Sequence, residues 1–331
     1  MANPRSTEHL RIVVRRTGGP EALELETIAT ASPGPDEIAV RVRAVGVNFI
    51  DTYHRSGLYP LALPTGIGGE AVGEVTAIGD RVAELRPGDR VALYGGPPGT
   101  YAEHIVRPAH TAVHVPVDLD DQLVAAAFLK GLTAEYLVRR CRPVREGDRV
   151  LFHAAAGGVG SIAVQWLRIL GARVMGTVGS ENKAELAREL GCEEVVVTSR
   201  DDFVARAREW TDGRGVDVVF DSVGRATFEG SLDCLRPRGM LVSFGNSSGK
   251  PPPVDPMLLA KKGSLFLTRP SLHDYVHDRA EYLAAAEALF ELLRSRRIAV
   301  ADPLRFPLRE AAAAHRAIES RATTGSIVLI P

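Results

Sequence analysis

The chain has 331 residues, 45% hydrophobic and 24% charged, enough for a buried core and roughly two domains. Its 40 basic and 41 acidic side chains leave a formal charge of −1. That balance excludes the basic surplus of a general nucleic-acid or membrane-surface binder. No apolar run reaches the about 18 residues of a membrane span, and MANPRSTEHLRIVV lacks the apolar stretch of a secretory signal.

Residues 10 to 120 read as strands and turns. RIVVRR, EIAVRVRAVGV, EAVGEVTAIG, DRVALY and EHIVRP are short, rich in β-branched residues and bounded by Gly, Pro or Asp. Helical periodicity is nearly absent there, so a sandwich or barrel-like β unit is expected. DQLVAAAFLKGLTAEYLVRR then reads as one or two helices. After it, strand and helix alternate: DRVLFHAA and SIAVQWLRILG, ARVMGTVG and ENKAELARELG, EEVVVT and DDFVARAREWT, DVVFDSVG and ATFEGSLDCLRPRG. GMLVSFG and SLFLTRP add two further strands. This alternation predicts βαβ units in a doubly wound parallel sheet. The tail holds a helix (RAEYLAAAEALFELLRSRR), a Pro-containing turn (DPLRFPL), a second helix (REAAAAHRAIESR) and a final strand (SIVLIP). It is expected to complete the first unit.

The strongest local signal is VLFHAAAGGVGSIAVQWL, which runs from buried strand through a tight turn into a helix. Ala155, Gly157 and Gly160 occupy the three fingerprint positions of a dinucleotide turn. Gly157 admits backbone N–H groups to a pyrophosphate, and Gly160 lets helix pack on strand. No Gly-Lys-[Ser/Thr] follows, which disfavours a nucleotide-hydrolase P-loop. An NAD enzyme places an acid at the tip of the second strand, about 20 residues on, to hold the ribose 2′-OH. Here GTVGSENK supplies Ser180 and Lys183 instead. A hydroxyl and an ammonium suit a 2′-phosphate, so NADPH is expected over NADH. Glu181 must then point away.

The three cysteines, Cys141, Cys192 and Cys234, are scattered without a CxxC, as in a reduced, cytoplasmic protein. None lies in the first unit, and the histidines there show no ligand spacing, so no catalytic zinc is expected. Without a metal electrophile, hydride transfer favours acceptors whose product anion is already stabilised, such as quinones and conjugated enones. Positioning and modest electrostatics would carry catalysis.

GVNFIDTYHRSGLYP, GIGGEAVGEVTAIGDRVAELRPGDRV, FLKGLTAEYL, HAAAGGVG, DSVG, VSFGNSSG, GSLFLTRPSL and ESRATTGSIVLIP together resemble the zinc-independent NADPH:quinone oxidoreductases, the zeta-crystallin-like branch of the medium-chain dehydrogenase/reductases. The match runs along nearly the whole chain. It implies a β-rich GroES-like catalytic domain (1–131 and 275–331), a Rossmann dinucleotide-binding domain (132–274), an interdomain cleft and a homodimer.

By the same resemblance, Asn48 stands where zinc-dependent members place a cysteine, against the nicotinamide, and Tyr53 faces substrate and cofactor. Glu70 fills a signature slot and is expected to be structural. Lys130 and Thr133 face the nicotinamide, though Lys130 equally suits a structural ion pair. Gly157, Gly158, Val159 and Gly160 form the pyrophosphate turn. Ser180, Lys183 and Arg321 reach the 2′-phosphate. Ser222, Phe244, Gly245, Ser247, Leu267 and Arg269 line the nicotinamide half, with Arg269 also suited to an ion pair. Close members carry a tyrosine at the end of the third strand; here Thr198 takes that slot, with Arg200 nearby as a source of charge.

The expected activity is metal-free, NADPH-dependent reduction of a quinone stacked near Asn48 and Tyr53. Tyr53 or water would hydrogen-bond the developing oxyanion, and one-electron transfer stays open. Reduction of the C=C bond of an enone or acrylate is the alternative within the enzyme class. A nucleotide- or RNA-binding, crystallin-like structural role is the alternative outside it. A homodimer is expected, with the SLFLTRP edge extending the sheet to a partner.

Overall fold

The β-branched runs of the first third form strands, as side chains that suit a pleated, half-buried surface should. The computed structural model describes residues 8–320 and 323–331. In chain order the first elements are β1 (Glu8–Val14), β2 (Leu23–Ala29), β3 (Glu37–Val47), α1 (Phe49–Ser56), β4 (Thr65–Gly66), β5 (Glu70–Ile78), β6 (Arg90–Tyr94), β7 (His104–Pro108), β8 (Ala112–His114) and α2 (Asp121–Tyr136). A wider π-type turn continues α2 over Leu137–Cys141. Alternation then sets in: β9 (Arg149–His153), α3 (Gly158–Ile169), β10 (Arg173–Val178), α4 (Glu181–Leu190), β11 (Glu194–Val197), α5 (Phe203–Trp210), β12 (Val216–Asp221), α6 (Phe228–Cys234) and β13 (Leu235–Ser243). The chain closes with α7 (Pro256–Lys261), β14 (Phe266–Thr268), α8 (Leu272–Tyr275), α9 (Arg279–Arg294), β15 (Leu304–Pro307), α10 (Ala311–Glu319) and β16 (Ile327–Ile330).

These elements group into two units. One takes the described residues up to Leu129 and those from Val300 onward; the other is Lys130–Ala299. In the first, β15, β16, β3, β5, β6 and β8 follow one another across a sheet, with β7 also on β3, and a smaller sheet runs β2-β1-β4. Ile12, Val40, Val45, Leu93, Tyr101 and Leu329 are among its buried core residues.

In the second, six parallel strands run in the order β11-β10-β9-β12-β13-β14. This is the 3-2-1-4-5-6 order of a dinucleotide-binding sheet. β12 is buried along its whole length, as a strand covered on both faces must be. The order reverses between β9 and β12, which places the crevice for a ligand at the carboxyl ends of those two strands.

Three local expectations are corrected. Phe49–Ser56 is a helix, closed by Gly57 in the left-handed region at φ 80°, although its eight residues are too few to show a clear period. DPLRFPL is not a turn: Leu304–Pro307 pairs with Ile327–Ile330 as a parallel edge strand, where proline's missing N–H costs nothing. Residues 275–299 group with the dinucleotide unit rather than with the first. The reason is packing: α9 buries Tyr282, Ala285 and Leu289, and Leu289 sits where any side chain at Gly131 would collide with it. Tyr275 stacks on Tyr136 with centroids 4.5 Å apart.

Candidate active site

In the first unit, β3 delivers Asn48 to the start of α1. Its N–H donates to Asp51 Oδ2 at 2.8 Å, the reciprocal half of a capping box. Its Nδ2 donates to Glu70 Oε1 at 2.7 Å and to the Gly46 carbonyl at 3.3 Å. Glu70 is 1% exposed, and its other oxygen accepts the Leu129 N–H at 2.8 Å. A side chain at Gly46 would collide with that carboxylate, so glycine is required there. Tyr53 lies one and a half turns along α1, edge-on to Tyr59 at 5.2 Å.

Asp51 anchors a buried relay behind this helix. Tyr101 donates its hydroxyl to Asp51 Oδ2 at 2.9 Å and lies 3.1 Å from His315 Nε2. Burial, with the Arg55 guanidinium 3.0 Å from Nδ1, pushes the His315 imidazole down to about 3. Arg55 in turn grips both oxygens of Glu319. These groups tie α1 to α10. Among the described residues, no group of three or more His, Cys, Asp or Glu is arranged to hold a metal ion.

In the second unit the glycine turn has the expected form. Ala154 adopts φ 55°, Gly157 precedes α3, and the helix opens at Gly158. N–H groups of a first helical turn have no carbonyl behind them and face any anion placed there. A side chain at Gly160 would collide with the Ala154 carbonyl, and one at Gly158 would come within 2.9 Å of the Lys130 Cδ. The glycines thus let the turn, the start of α3 and Lys130 pack closely, and the first-turn N–H groups fit a pyrophosphate. Lys130 lies against this turn, and Lys130 and Thr133 are both buried.

The remaining candidates sit at or beyond the carboxyl ends of neighbouring strands. Ser180 precedes α4, and its hydroxyl caps none of the helix N–H groups; Lys183 lies in the first turn. Thr198 donates both its N–H and its hydroxyl to the Val178 carbonyl, at 2.9 and 3.2 Å, so it joins β11 to the end of β10. Arg200 pairs with Glu181 and Asp201, which neutralises the acid beside the Ser180 and Lys183 pair. Ser222 follows β12. Phe244, Gly245 and Ser247 follow β13, with the Ser247 N–H donating to the Ser222 carbonyl at 3.2 Å. A Cβ at Gly245 would lie 2.5 Å from that same carbonyl oxygen. Leu267 is in β14, and Arg269 just beyond it donates to the Ser243 carbonyl at 3.0 Å. Arg321 lies outside the described residues.

One network escaped the sequence reading. Asp221, at the end of β12, accepts the Val223 and Gly224 N–H groups at 2.7 and 3.0 Å and the Thr227 and Ser231 hydroxyls at 2.7 and 2.9 Å. Ser231 Oγ lies 3.0 Å from His153 Nε2, and His153 Nδ1 lies 2.9 Å from Thr177 Oγ1. Burial lowers the His153 pKa, so the ring is neutral. This chain links β10, β9 and β12 and shapes the turn that presents Ser222. The only local signal was an acid at a strand end directly before Ser-Val-Gly.

Comparison with known proteins agrees with this architecture. An alcohol dehydrogenase GroES-like domain model matches residues 34–117, and a zinc-binding dehydrogenase model matches residues 158–283. Those two modules in one chain define a medium-chain dehydrogenase/reductase. The quinone oxidoreductase of Pseudomonas aeruginosa is 48% identical over 322 residues, 97% of this chain and 99% of that one. The 2-haloacrylate reductase of a Burkholderia species is 45% identical over 326 residues, 96% of this chain and 98% of that one. A solved structure of the Escherichia coli quinone oxidoreductase complexed with NADPH superposes with a TM-score of 0.95 at 46% identity, covering 97% of this chain and all of that one. The chain belongs to the quinone oxidoreductase family of medium-chain dehydrogenase/reductases.

Proposed function

We propose that this protein reduces quinones with NADPH, without a catalytic metal. The observation that carries the reading is the glycine turn between β9 and α3, where only glycine fits at 160, in a chain whose solved relative is complexed with NADPH.

The N–H groups of Gly158, Val159 and Gly160, opened by Gly157, bind the pyrophosphate. Ser180 and Lys183 bind the 2′-phosphate, with Arg321, while Arg200 holds Glu181 away from it. Thr198 borders the adenosine end. Ser222, Phe244, Gly245, Ser247, Leu267 and Arg269 line the nicotinamide half, and Lys130 and Thr133 flank it. NADPH, when bound, supplies the hydride. Glu70 orients the Asn48 carboxamide toward the acceptor, and Tyr53 donates its hydroxyl hydrogen bond to the quinone oxygen as negative charge develops there.

Reduction of an activated C=C bond is the second reading, favoured by the similarity to the 2-haloacrylate reductase. It needs a proton for the α-carbon, which Tyr53 or water supplies. NADPH oxidation with 1,4-benzoquinone, run beside a simple enone, tests the choice. Faster quinone turnover is expected; turnover of the enone alone would move the substrate class to alkenes.

A homodimer in the cytoplasm completes the proposal. β14 is an edge strand with Phe266 56% exposed, and an unpaired apolar edge of this kind is covered by pairing with a second copy. Light scattering on the purified protein should give twice the mass of the chain. No helix among the described residues is long and apolar enough to cross a membrane.

A further inference from the structure

A cavity of about 160 Å³ is lined by residues of the first unit, and none of the described residues assigned above to NADPH or quinone lines it. Its polar lining is His9 and Arg11 on β1, Thr30 beyond β2, and His104 and Arg107 on β7; no aspartate or glutamate lines it. Arg11 is already held by Glu26. Arg107 is not held by any acid in this way.

Arg107 is 6% exposed. Its Nη1 donates to the Val106 carbonyl at 2.9 Å, whereas Nε and Nη2 find no hydrogen-bond partner among the described residues. The carboxylate that acts on it, Glu37, accepts the Gly34 N–H at 2.9 Å. Burial pushes the guanidinium down to about 10, so it is still charged at neutral pH. A buried guanidinium with no carboxylate hydrogen-bonded to it is costly and favours an anion at its open donors. The unsatisfied edge is informative. Nε–H and one Nη2–H of arginine point in parallel from the same side of the plane, the geometry that matches two oxygens of one oxyanion. Gly99 borders the cavity, and a Cβ there would sit 3.5 Å from Nη2. His9 holds the Thr30 hydroxyl at 3.0 Å and meets the His104 ring edge-on at 5.6 Å, and all three line the same cavity. Glu103, the acid that acts on His9, accepts the Leu10 N–H at 2.8 Å.

We propose that this cavity is a binding site for a small oxyanion, clasped side-on by Nε and Nη2 of Arg107 and faced by His9, Thr30 and His104. Inorganic phosphate and a small carboxylate share that chemistry.

The test is calorimetric titration of the full-length protein with phosphate and, separately, with acetate. NADPH is kept saturating so that phosphate-binding groups of the nucleotide site are occupied. Saturable phosphate binding that weakens at least about tenfold in Arg107→Gln is the expected result. Saturable binding of acetate alone, with the same loss, supports the site and makes its anion a carboxylate. Should Arg107→Gln fail to fold, the ring signals of His9 and His104 in the wild-type NMR spectrum decide. They shift with the calorimetric midpoint if the site is real. Absence of saturable binding by either anion, equal binding in Arg107→Gln, or unmoved histidine signals would overturn the proposal.

Discussion

Asn48 Nδ2 and Glu70 Oε1 are 2.7 Å apart, with the carboxylate 1% exposed. The pair fixes which way the carboxamide faces, because its nitrogen is spent on Glu70 and the Gly46 carbonyl. Glu70→Gln removes that direction, because an amide can either accept from or donate to its neighbour. Losing a hydrogen bond to a charged group costs about 1.5–3 kcal/mol. We expect kcat/KM for the quinone to fall about tenfold or more while the NADPH Kd holds within about twofold. Fluorescence titration beside steady-state rates separates the two; an equal loss in both would make Glu70 a general structural prop.

Gly160 and Gly158 answer substitution differently. A Cβ at 160 meets the Ala154 carbonyl, which is backbone and cannot yield, whereas one at 158 meets the flexible end of Lys130. Gly160→Ala should cost about 1–3 kcal/mol of stability and abolish measurable NADPH binding. Gly158→Ala should fold with stability within about 1 kcal/mol of wild type. Thermal melts in the presence and absence of NADPH read both effects. Equal behaviour of the two variants would contradict the packing described.

Arg200 bridges Glu181 and Asp201 beside Ser180 and Lys183. Arg200→Ala releases the Glu181 charge next to the 2′-phosphate. The KM for NADPH should rise about three- to tenfold, an effect that shrinks with added salt, while the KM for NADH is unmoved. Identical changes for the two nucleotides would place Arg200 away from the discriminating end.

How much of this was legible in the chain depends on the range of the interactions. The alternation from β9 to β13 and the glycine turn could be read because period, turn residues and helix start are local signals. Asn48 and Tyr53 were reached by resemblance, but the partner that orients Asn48 was read only as structural, since nothing in sequence joins positions 48 and 70. The Asp221–Ser231–His153–Thr177 chain was invisible for the same reason: its members sit on three neighbouring strands and a helix. The place of α9 was misread because its apolar face says only that something covers it. The structure shows what does: the stretch of α2 around Gly131.

Three buried histidines predict the acid limb of the stability curve. His9, His153 and His315 are held below their ordinary 6.5, each first by burial, and His315 down to about 3. The folded protein therefore binds fewer protons than the unfolded chain below that value. The stabilisation is complete above about pH 6.5 and is lost as pH falls toward the folded values. Each such group contributes a slope approaching about 1.4 kcal/mol per pH unit. His315→Gln keeps a polar group between Tyr101 and Arg55 without the titration. Its unfolding free energy should fall less steeply than wild type between about pH 6 and pH 4. An unchanged slope would mean that His315 is protonated in the fold.

The most direct test of the central claim is single-turnover oxidation of bound NADPH by 1,4-benzoquinone in the presence of a chelator, comparing wild type with Tyr53→Phe. The account predicts chelator-resistant oxidation in the wild type, faster with NADPH than with NADH. It also predicts a slowing of about ten- to a hundredfold in Tyr53→Phe with the NADPH Kd unchanged. Oxidation that stops with chelator, or a Tyr53→Phe enzyme that turns over as fast as wild type, would contradict it.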